Sequence, residues 1–287
     1  MAQPSQPSQP RTHIGIFDSG IGGLSVLGAV QRLLPRAHCS YLADTRHTPW
    51  GDRPAGWVSQ RCEQLAAWLI DHGADLVLVA CNTGTTQAIA QLRQRWPQRL
   101  FVGVEPGIKP AVASSRNRRV AVMATTGTLR SARLDALVDA HATAATVLRL
   151  PCPGLVDAIE QSVFDDAPLR QRLDDIAAEL RAADVDTVVL GCTHYPLVAD
   201  LLRVRLGAGV ALVDTAEAVA RRVASLLPGA EADIDASGLG DAGRPVRQLL
   251  ATGETGLLAA AVRRWVSPDA SVQAIRLPDP DARGTHV

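Results

Sequence analysis

The sequence is poor in lysine. Lys109 is its only lysine, and arginine supplies the rest of its 29 basic residues. A pyridoxal-phosphate enzyme needs a lysine for its Schiff base, so one lysine is weak support for that chemistry. The five cysteines form no Cys-x-x-Cys pair, which argues against a structural zinc site. The composition therefore gives little support for pyridoxal phosphate, and we expect no metal site.

A long apolar run and an excess of one charge are also missing. No segment is long and apolar enough to span a bilayer, and no secretory signal opens the chain. The 29 acidic and 29 basic residues cancel, so the composition gives no support for binding to nucleic acid or to an anionic membrane. The odd number of cysteines favours free thiols in a reducing compartment. We expect a cytoplasmic protein with no membrane partner and no direct nucleic-acid partner.

The chain is organised around residues 186–196, Asp-Thr-Val-Val-Leu-Gly-Cys-Thr-His-Tyr-Pro. The Val-Val-Leu run is typical of a short buried strand. The glycine lets the backbone turn, and Cys192, Thr193 and His194 follow at the carboxyl end of that predicted strand. In open α/β sheets, ligands bind in the crevice outside these strand ends. The segment therefore predicts a thiol, a hydroxyl and an imidazole at a position typical of binding or catalysis.

An upstream segment repeats this pattern. Residues 75–83, Asp-Leu-Val-Leu-Val-Ala-Cys-Asn-Thr, keep the same spacing from the aspartate to the cysteine, which is Cys81. A weaker similarity relates residues 14–20 to residues 120–127. Both segments are typical of a strand and a turn that precede a helix. These repeats predict two similar α/β units, each with a strand-end cysteine.

Other stretches give weaker signals. The glycine-rich turn at 18–23 lacks the G-x-G-x-x-G spacing, so its glycines fit a tight turn and a ligand loop about equally well. Trp50, in the polar loop 46–54, is expected to be exposed and is a candidate pocket wall. Residues 1–11, rich in Pro, Ser and Gln, are predicted to be disordered, and residues 278–287 are predicted to be a tail.

Two mirrored strand-end cysteines suggest a pair of bases. A thiolate on one face of a carbon can remove a proton while a thiol on the opposite face returns one, as in a racemase or epimerase without a cofactor. Three alternatives remain open. A Cys-His hydrolase would use one cysteine, a dithiol redox enzyme would need the two sulfurs near bonding distance, and a two-lobed small-molecule-binding module would need neither.

The motifs together resemble those of glutamate racemases, within the aspartate/glutamate racemase superfamily. The likeness rests on residues 14–24, on 44–51, on Ala-Cys-Asn-Thr at 80–83 and on Leu-Gly-Cys-Thr-His-Tyr-Pro at 190–196. It spans about residues 14–227 and continues more weakly to residue 277. The two cysteine motifs are its most specific part.

The resemblance implies an α/β fold of two Rossmann-like or flavodoxin-like domains. Their central parallel sheets are related by a pseudo-twofold, with the active site in the cleft between them. The first domain is expected to be discontinuous, 12–104 plus 214–277, and the second to span 105–213. The implied activity is cofactor-independent interconversion of L- and D-glutamate by a homodimer, supplying D-glutamate for peptidoglycan. The alternative within the superfamily is an aspartate racemase or another amino-acid racemase.

The resemblance also implies roles for particular residues. The catalytic cysteines fall on Cys81 and Cys192, with Asp18 assisting the first and His194 and Glu160 assisting the second. The implied substrate-binding positions are Asp18, Ser19, Trp50, Gly51, Asn82, Thr83, Thr128, Thr193 and His194.

The chain departs from the family pattern at two positions. The family usually has tyrosine where this chain has Trp50, so a phenol hydroxyl is replaced there. It usually has alanine where this chain has Gly84. From the sequence we expect neither change to affect the proton-transfer chemistry, whereas Trp50 is expected to alter the shape of the pocket.

Overall fold

The computed structural model describes residues 12–161, 166–227, 247–267 and 270–280. The strands are β1 (His13–Asp18), β2 (His38–Ala43), β3 (Leu76–Val79), β4 (Leu100–Gly103), β5 (Arg119–Ala124), β6 (Thr146–Pro151), β7 (Thr187–Leu190), β8 (Ala211–Val213), β9 (Arg247–Ala251) and β10 (Val272–Ala274). Over the described residues they form a six-stranded sheet, β10-β9-β2-β1-β3-β4, and a four-stranded sheet, β6-β5-β7-β8. Every described strand pair is parallel. The predicted tail 1–11 and most of the tail 278–287 lie outside the described residues.

Helices connect the strands. They are α1 (Leu24–Leu33), α2 (Ala55–Asp71), α3 (Asn82–Arg95), α4 (Ile108–Ser114), α5 (Thr126–Leu129), α6 (Ala132–His141), α7 (Leu155–Gln161), α8 (Ala167–Ala182), α9 (Ala199–Leu206), α10 (Ala216–Leu226) and α11 (Gly256–Trp265). A 3-10 turn, Tyr195–Val198, stands between β7 and α9. None of the described helices has the length and apolar character needed to cross a membrane.

The central strands are apolar on both faces because helices cover both sides of the sheet. β1, β3 and β7 are buried at every residue. In β1, Ile14 and Ile16 pack with Leu27 of α1, whereas Phe17 packs with Leu65 of α2 in a separate cluster. A strand covered on both sides needs the continuous apolar run seen in the sequence rather than strict alternation.

The two sheets carry their cysteines at equivalent points. β3 pairs with β1, and β7 pairs with β5. Each ladder continues one step beyond the strand: Ala80 N–H donates to the Phe17 carbonyl at 2.8 Å, and Gly191 N–H donates to the Met123 carbonyl at 2.8 Å. A cysteine is the next residue in both cases. The sequence repeat therefore corresponds to a structural repeat.

The chain returns to the first sheet after β8. α10 packs on α1, and an ion pair joins Arg32 of α1 to Glu217 of α10. β9 then joins the sheet beside β2. The first sheet is thus built from both ends of the chain, and the exact boundaries expected for the two domains remain a prediction.

One segment differs locally from the sequence-based expectation. The apolar pattern at 129–140 predicts a helix that begins at residue 129, whereas α5 ends at Leu129 and the corresponding helix, α6, begins at Ala132. Ser131 is the reason for the break, because its Oγ accepts a hydrogen bond from Leu134 N–H at 3.2 Å and caps α6. A side-chain cap of this kind competes with continuation of the preceding helix.

Asp186 holds the turn that leads into β5. Its carboxylate accepts hydrogen bonds from Ser115 Oγ at 2.6 Å, from Arg116 N–H at 2.7 Å and from Asn117 N–H at 2.8 Å. Desolvation opposes ionisation, but these hydrogen bonds outweigh it and lower the pKa of Asp186 to about 2. The charged carboxylate therefore stabilises the fold.

Asp186→Asn is expected to lower the free energy of unfolding by about 1–2 kcal/mol at pH 7, since an amide is a weaker acceptor than a carboxylate. This stabilisation is fully present above the ordinary pKa of 3.8 and is lost as the pH falls towards the folded-state pKa of about 2. Urea unfolding at pH 7 and pH 3 should show the difference between variant and wild type shrinking at pH 3. Asp184→Asn is the control, because Asp184 is exposed and asparagine tolerates its φ of 51°. An equal difference at both pH values would contradict this account.

Candidate active site

Cys81 caps the helix that follows β3. It is the extended N-cap residue of α3, and its Sγ accepts a hydrogen bond from Gly84 N–H at 3.5 Å. Cys81 Sγ also donates to Ser19 Oγ at 3.6 Å, in the turn after β1. A sulfur at a helix N-terminus faces backbone N–H groups that have no partner inside the helix, and these favour negative charge.

Cys192 lies beside an imidazole. Its Sγ is 3.8 Å from His194 Nδ1, and His194 Nε2 is 2.6 Å from Glu160 Oε1. Glu160 Oε1 in turn accepts a hydrogen bond from Ile21 N–H at 2.8 Å. A buried polar chain therefore runs from the sulfur in the second sheet to the turn after β1 in the first.

The glycines of the 18–23 turn make room for this chain. A Cβ at Gly22 would lie 2.7 Å from the backbone N of His194, and a Cβ at Gly20 would overlap the Glu160 carboxylate. Neither glycine has a positive φ. The close approach of the second sheet, and not the backbone conformation of the turn, therefore requires glycine at these two positions.

Asp18 lies at the end of β1, next to the Cys81 side. Its Oδ2 accepts a hydrogen bond from Gly23 N–H at 2.6 Å, and Ser19 Oγ donates to its Oδ1 at 3.4 Å. Burial raises the pKa of Asp18 above its ordinary value, although nearby His194 and the Gly23 N–H act in the opposite direction. A carboxyl group that holds its proton more readily than usual is suited to acid–base work.

The two cysteines line one cavity, and both sheets contribute to its wall. The lining residues are Ser19, Pro49, Trp50, Gly51, Cys81, Asn82, Thr83, Thr125, Val156, Cys192, Thr193 and His194. The cavity volume is about 10 Å³, which is roughly the space that one water molecule needs. The cleft is therefore nearly closed, and its two sides must separate to admit a larger molecule.

Most of the site residues expected from the sequence line this cavity, and three do not. Asp18 and Glu160 stand behind Ser19 and His194. Thr128 Oγ1 lies 3.5 Å from Thr83 Oγ1, so Thr128 supports a lining threonine rather than lining the cavity itself.

Sequence reasoning missed three lining residues, Pro49, Thr125 and Val156. Thr125 carried a signal that could have identified it, because it follows β5 just as Ser19 follows β1. Its Oγ lies 3.0 Å from the Thr83 hydroxyl across the cleft. Pro49 and Val156 carried no comparable signal, since their chemistry is ordinary for a loop and a helix.

The expectation that Trp50 is exposed is wrong. The side chain lines the cavity but is only 1% exposed. Its indole N–H donates to the Asp44 carboxylate at 3.2 Å, inside the first sheet's core. Because the indole N–H has a buried hydrogen-bond acceptor, the large Trp50 side chain can be buried without leaving a polar group unpaired.

The two cysteines have different electrostatic surroundings. Burial, reinforced by the nearby Asp18 carboxyl, raises the pKa of Cys81 well above its ordinary value. Burial opposes charge on His194, but its hydrogen bonds with Cys192 and Glu160 prevail and raise the pKa of His194 well above its ordinary value. A thiol that burial keeps protonated, Cys81, thus shares the cavity with a second sulfur that lies 3.8 Å from a charged imidazole.

The other three cysteines, Cys39, Cys62 and Cys152, are buried, form no disulfide and do not line the cavity. Burial raises the pKa of Cys62 well above its ordinary value and that of Cys152 to about 12. Cys39 is a residue of β2, and its side chain is buried in the core. In the part of the chain that the structure describes, no group of three acidic, cysteine or histidine side chains could hold a metal ion.

The sequence matches the Asp/Glu/Hydantoin racemase family over residues 26–223. The chain belongs to this racemase family. Two curated relatives are the glutamate racemase of Pseudomonas paraeruginosa, 42% identical over 254 residues and covering 88% of both chains, and that of Pseudomonas putida. The latter is 45% identical over 231 residues, covering 80% of this chain and 85% of the relative.

Solved structures resemble this racemase over nearly its whole length. A glutamate racemase isoform from Bacillus anthracis gives a TM-score of 0.80 at 28% identity, over 93% of this chain and 98% of that one. The Escherichia coli glutamate racemase, in complex with L-glutamate and the activator UDP-MurNAc-ala, gives 0.79 at 29% identity, over 94% and 100%. The predicted α/β fold with two parallel-sheet domains is confirmed, as is the racemase class. The hydrolase, redox and binding-module alternatives are not favoured, and the individual residue roles remain predictions.

Glu160→Gln is expected to lower the pKa of His194 in this racemase, because glutamine retains the size of the partner but removes the negative charge that favours imidazolium. NMR titration of the His194 ring nitrogens measures the shift. Asp157→Asn is the matched control, since Asp157 lies one turn earlier in α7 and is not part of the His194 chain. A His194 titration that is the same in both variants and wild type would contradict the proposed charge coupling.

Proposed function

We propose that this racemase interconverts L- and D-glutamate by moving a proton at Cα between two cysteines, without a cofactor. The observation that carries the proposal is that Cys81 and Cys192 come from equivalent strand ends of different sheets and line the same cavity. Two-base proton transfer needs an acceptor on one face of the carbon and a donor on the other. The relatives named glutamate racemase support glutamate as the substrate.

The cavity wall suits the carboxylates of such a substrate. Hydroxyl groups of Ser19, Thr83 and Thr193 line it, as does the N-terminus of α3. Hydroxyl donors and the free N–H groups of a helix N-terminus both bind anionic oxygen. Among the described lining residues there is no lysine or arginine, so these neutral donors carry the proposed binding.

The wall also offers an acceptor for the substrate ammonium group. Asn82 Nδ2 donates to the Val104 carbonyl at 3.2 Å, which fixes the orientation of its amide. Asn82 Oδ1 is buried and makes no hydrogen bond within the described residues. A buried carbonyl oxygen of this kind needs a donor, and the ammonium group of an amino acid supplies one.

We assign supporting roles to the groups behind the cysteines. Asp18 assists proton transfer on the Cys81 side, and His194 with Glu160 does so on the Cys192 side. Thr128 orients Thr83, which lines the cavity and would bind the substrate carboxylate. His194 stands 3.8 Å from Cys192 Sγ as its acid–base partner, while the thiol of Cys81 holds a proton. That starting arrangement lets one sulfur accept the α-proton and the other donate its own.

The wider biological role is part of the same proposal. We propose a cytoplasmic homodimer whose D-glutamate enters peptidoglycan synthesis, and this rests on the likeness to glutamate racemases. Sedimentation equilibrium tests the dimer, and complementation of a D-glutamate auxotroph tests the supply of D-glutamate. A monomer, or growth that still needs added D-glutamate, would remove that part of the proposal.

Racemisation in deuterated water should give early product that is almost fully labelled at Cα, while the remaining substrate stays largely unlabelled. The reason is that the donating thiol exchanges with solvent before the substrate arrives, whereas the removed proton stays on the opposite sulfur. Mass spectrometry of both enantiomers at low conversion measures the label. Early product that keeps the substrate's own hydrogen would indicate that a single base carries the proton between the two faces of Cα. That result would contradict the two-cysteine mechanism.

Cys81→Ser and Cys192→Ser should each lower kcat by about 10²–10⁴-fold, the usual contribution of one acid–base group. A serine hydroxyl is too weak an acid to replace either thiol at neutral pH. Cys39→Ser is the matched control, because Cys39 is buried away from the cavity. Equal losses in all three variants would show that the wrong sulfurs were chosen.

Glutamate should racemise much faster than aspartate or other free amino acids, because the whole motif set resembles the glutamate branch of the superfamily. Circular dichroism of each amino acid, with no added cofactor, measures turnover across a panel. Comparable turnover of aspartate would contradict the assignment of glutamate as the substrate. It would leave the proposed mechanism unchanged.

A further inference from the structure

A buried carboxylate outside the cavity anchors Trp50. Asp44 is fully buried and accepts hydrogen bonds from the Trp50 indole N–H at 3.2 Å and from Arg61 at 2.6 and 3.0 Å. Thr252 Oγ1 donates to it as well, at 2.7 Å. Burial opposes ionisation of Asp44, but hydrogen bonds from His47 and Arg61 outweigh it and lower the pKa. The indole is therefore attached to a carboxylate that stays charged.

The ring of Trp50 fits because position 84 lacks a side chain. A Cβ built on Gly84 would lie 3.2 Å from Trp50 Cζ3, 3.2 Å from Cys62 Sγ and 3.3 Å from Val79 Cγ1. All three neighbours are at most 1% exposed, so none can yield without disturbing a close-packed core. The indole and the glycine are therefore matched in size.

Gly84 is also the residue that hydrogen-bonds Cys81. Its N–H lies in the first turn of α3, where backbone donors have no partner inside the helix, and it donates to Cys81 Sγ at 3.5 Å. Any displacement of this turn by a few tenths of an ångström changes the bond to sulfur. The space next to the Trp50 ring, which a side chain at position 84 would fill, thus sets the position of a donor to the thiol.

We infer that Trp50 and Gly84 form a size-matched pair of positioning residues that holds the Gly84 N–H against Cys81 Sγ. Asp44 fixes the ring at its N–H edge, and the missing Cβ of Gly84 accepts the ring on its opposite edge. The pair acts through Cys81 rather than on the reacting carbon. The two positions at which this chain departs from the family pattern are neighbours, since a side chain at position 84 would press on the ring at position 50. The inference rests on the proposed role of Cys81 in proton transfer.

The test compares Gly84→Ala, Trp50→Tyr and the double variant in a mutant cycle. Gly84→Ala should lower kcat about tenfold with little change in KM, because the new methyl group shifts the first turn of α3. Alkylation of Cys81 by iodoacetamide, followed peptide by peptide with mass spectrometry, should move to higher pH while the Cys192 profile stays in place. The double variant should recover part of both effects, since the smaller phenol ring at position 50 relieves the close contact with the methyl group, whereas those with Cys62 and Val79 remain.

Gly56→Ala is the matched control. Gly56 also lies near the start of a helix, α2, and a Cβ there would meet nothing within 4 Å. Alanine is the better helix former at both positions, so a general effect of glycine replacement would appear in both variants. Melting temperatures of all variants separate loss of folding from loss of positioning.

Each outcome decides the inference. If Gly84→Ala behaves like Gly56→Ala, or if the double variant shows the simple product of the two single effects, the pair does not exist. If Gly84→Ala fails to fold, recovery of folding in the double variant supports the pair, and failure of both overturns it. A wild-type protein that does not racemise glutamate, with the alkylation pattern as expected, would refute the proposed function and leave the pair standing.

Discussion

The close approach of two strand-end turns governs this site. The Ile21 N–H in the turn after β1 donates to the Glu160 carboxylate of α7 at 2.8 Å, and Gly22 in the same turn lies against His194 in the turn after β7. Because no Cβ fits at Gly22, the backbone itself forms the contact surface. This approach brings two cysteines that are 111 positions apart, at 81 and 192 (192 − 81), to one cavity. A methyl group in the turn would be enough to hold the two sheets apart.

Polar contacts on both sides of the cavity keep the cleft nearly closed. Opposite the Ile21 contact, Gly127 N–H donates to the Gly51 carbonyl at 3.1 Å, and a Cβ at Gly51 would lie 2.9 Å from Thr125 Cβ. Hydrogen bonds of this kind contribute only about 1 kcal/mol each, because water replaces them readily. A cleft closed by a few such bonds can open for a substrate at far lower free-energy cost than one closed by a large apolar interface.

In three buried or half-buried aspartates, the neighbouring hydrogen-bond donors decide whether the carboxyl group has a structural or a chemical role. Asp44 is surrounded by cationic and hydroxyl donors and Asp186 by backbone and hydroxyl donors, and the pKa of each is lowered. Asp18 has fewer donors in a fully buried position next to Cys81, and its pKa is raised. The first two stay charged and hold the chain in place, whereas the third is poised to exchange a proton.

The sequence by itself determined the strands, the turn glycines and the two cysteines at strand ends. These features are local: a run of apolar β-branched residues specifies a buried strand, and a glycine followed by polar residues specifies the turn after it. The repeat between residues 75–83 and 186–196 was sufficient to predict two similar units. The tertiary structure alone decided which distant residues share the cavity, why Trp50 is buried and why Gly22 must lack a side chain. Those outcomes depend on contacts between segments far apart in the chain, and no local pattern encodes the distance between two folded sheets.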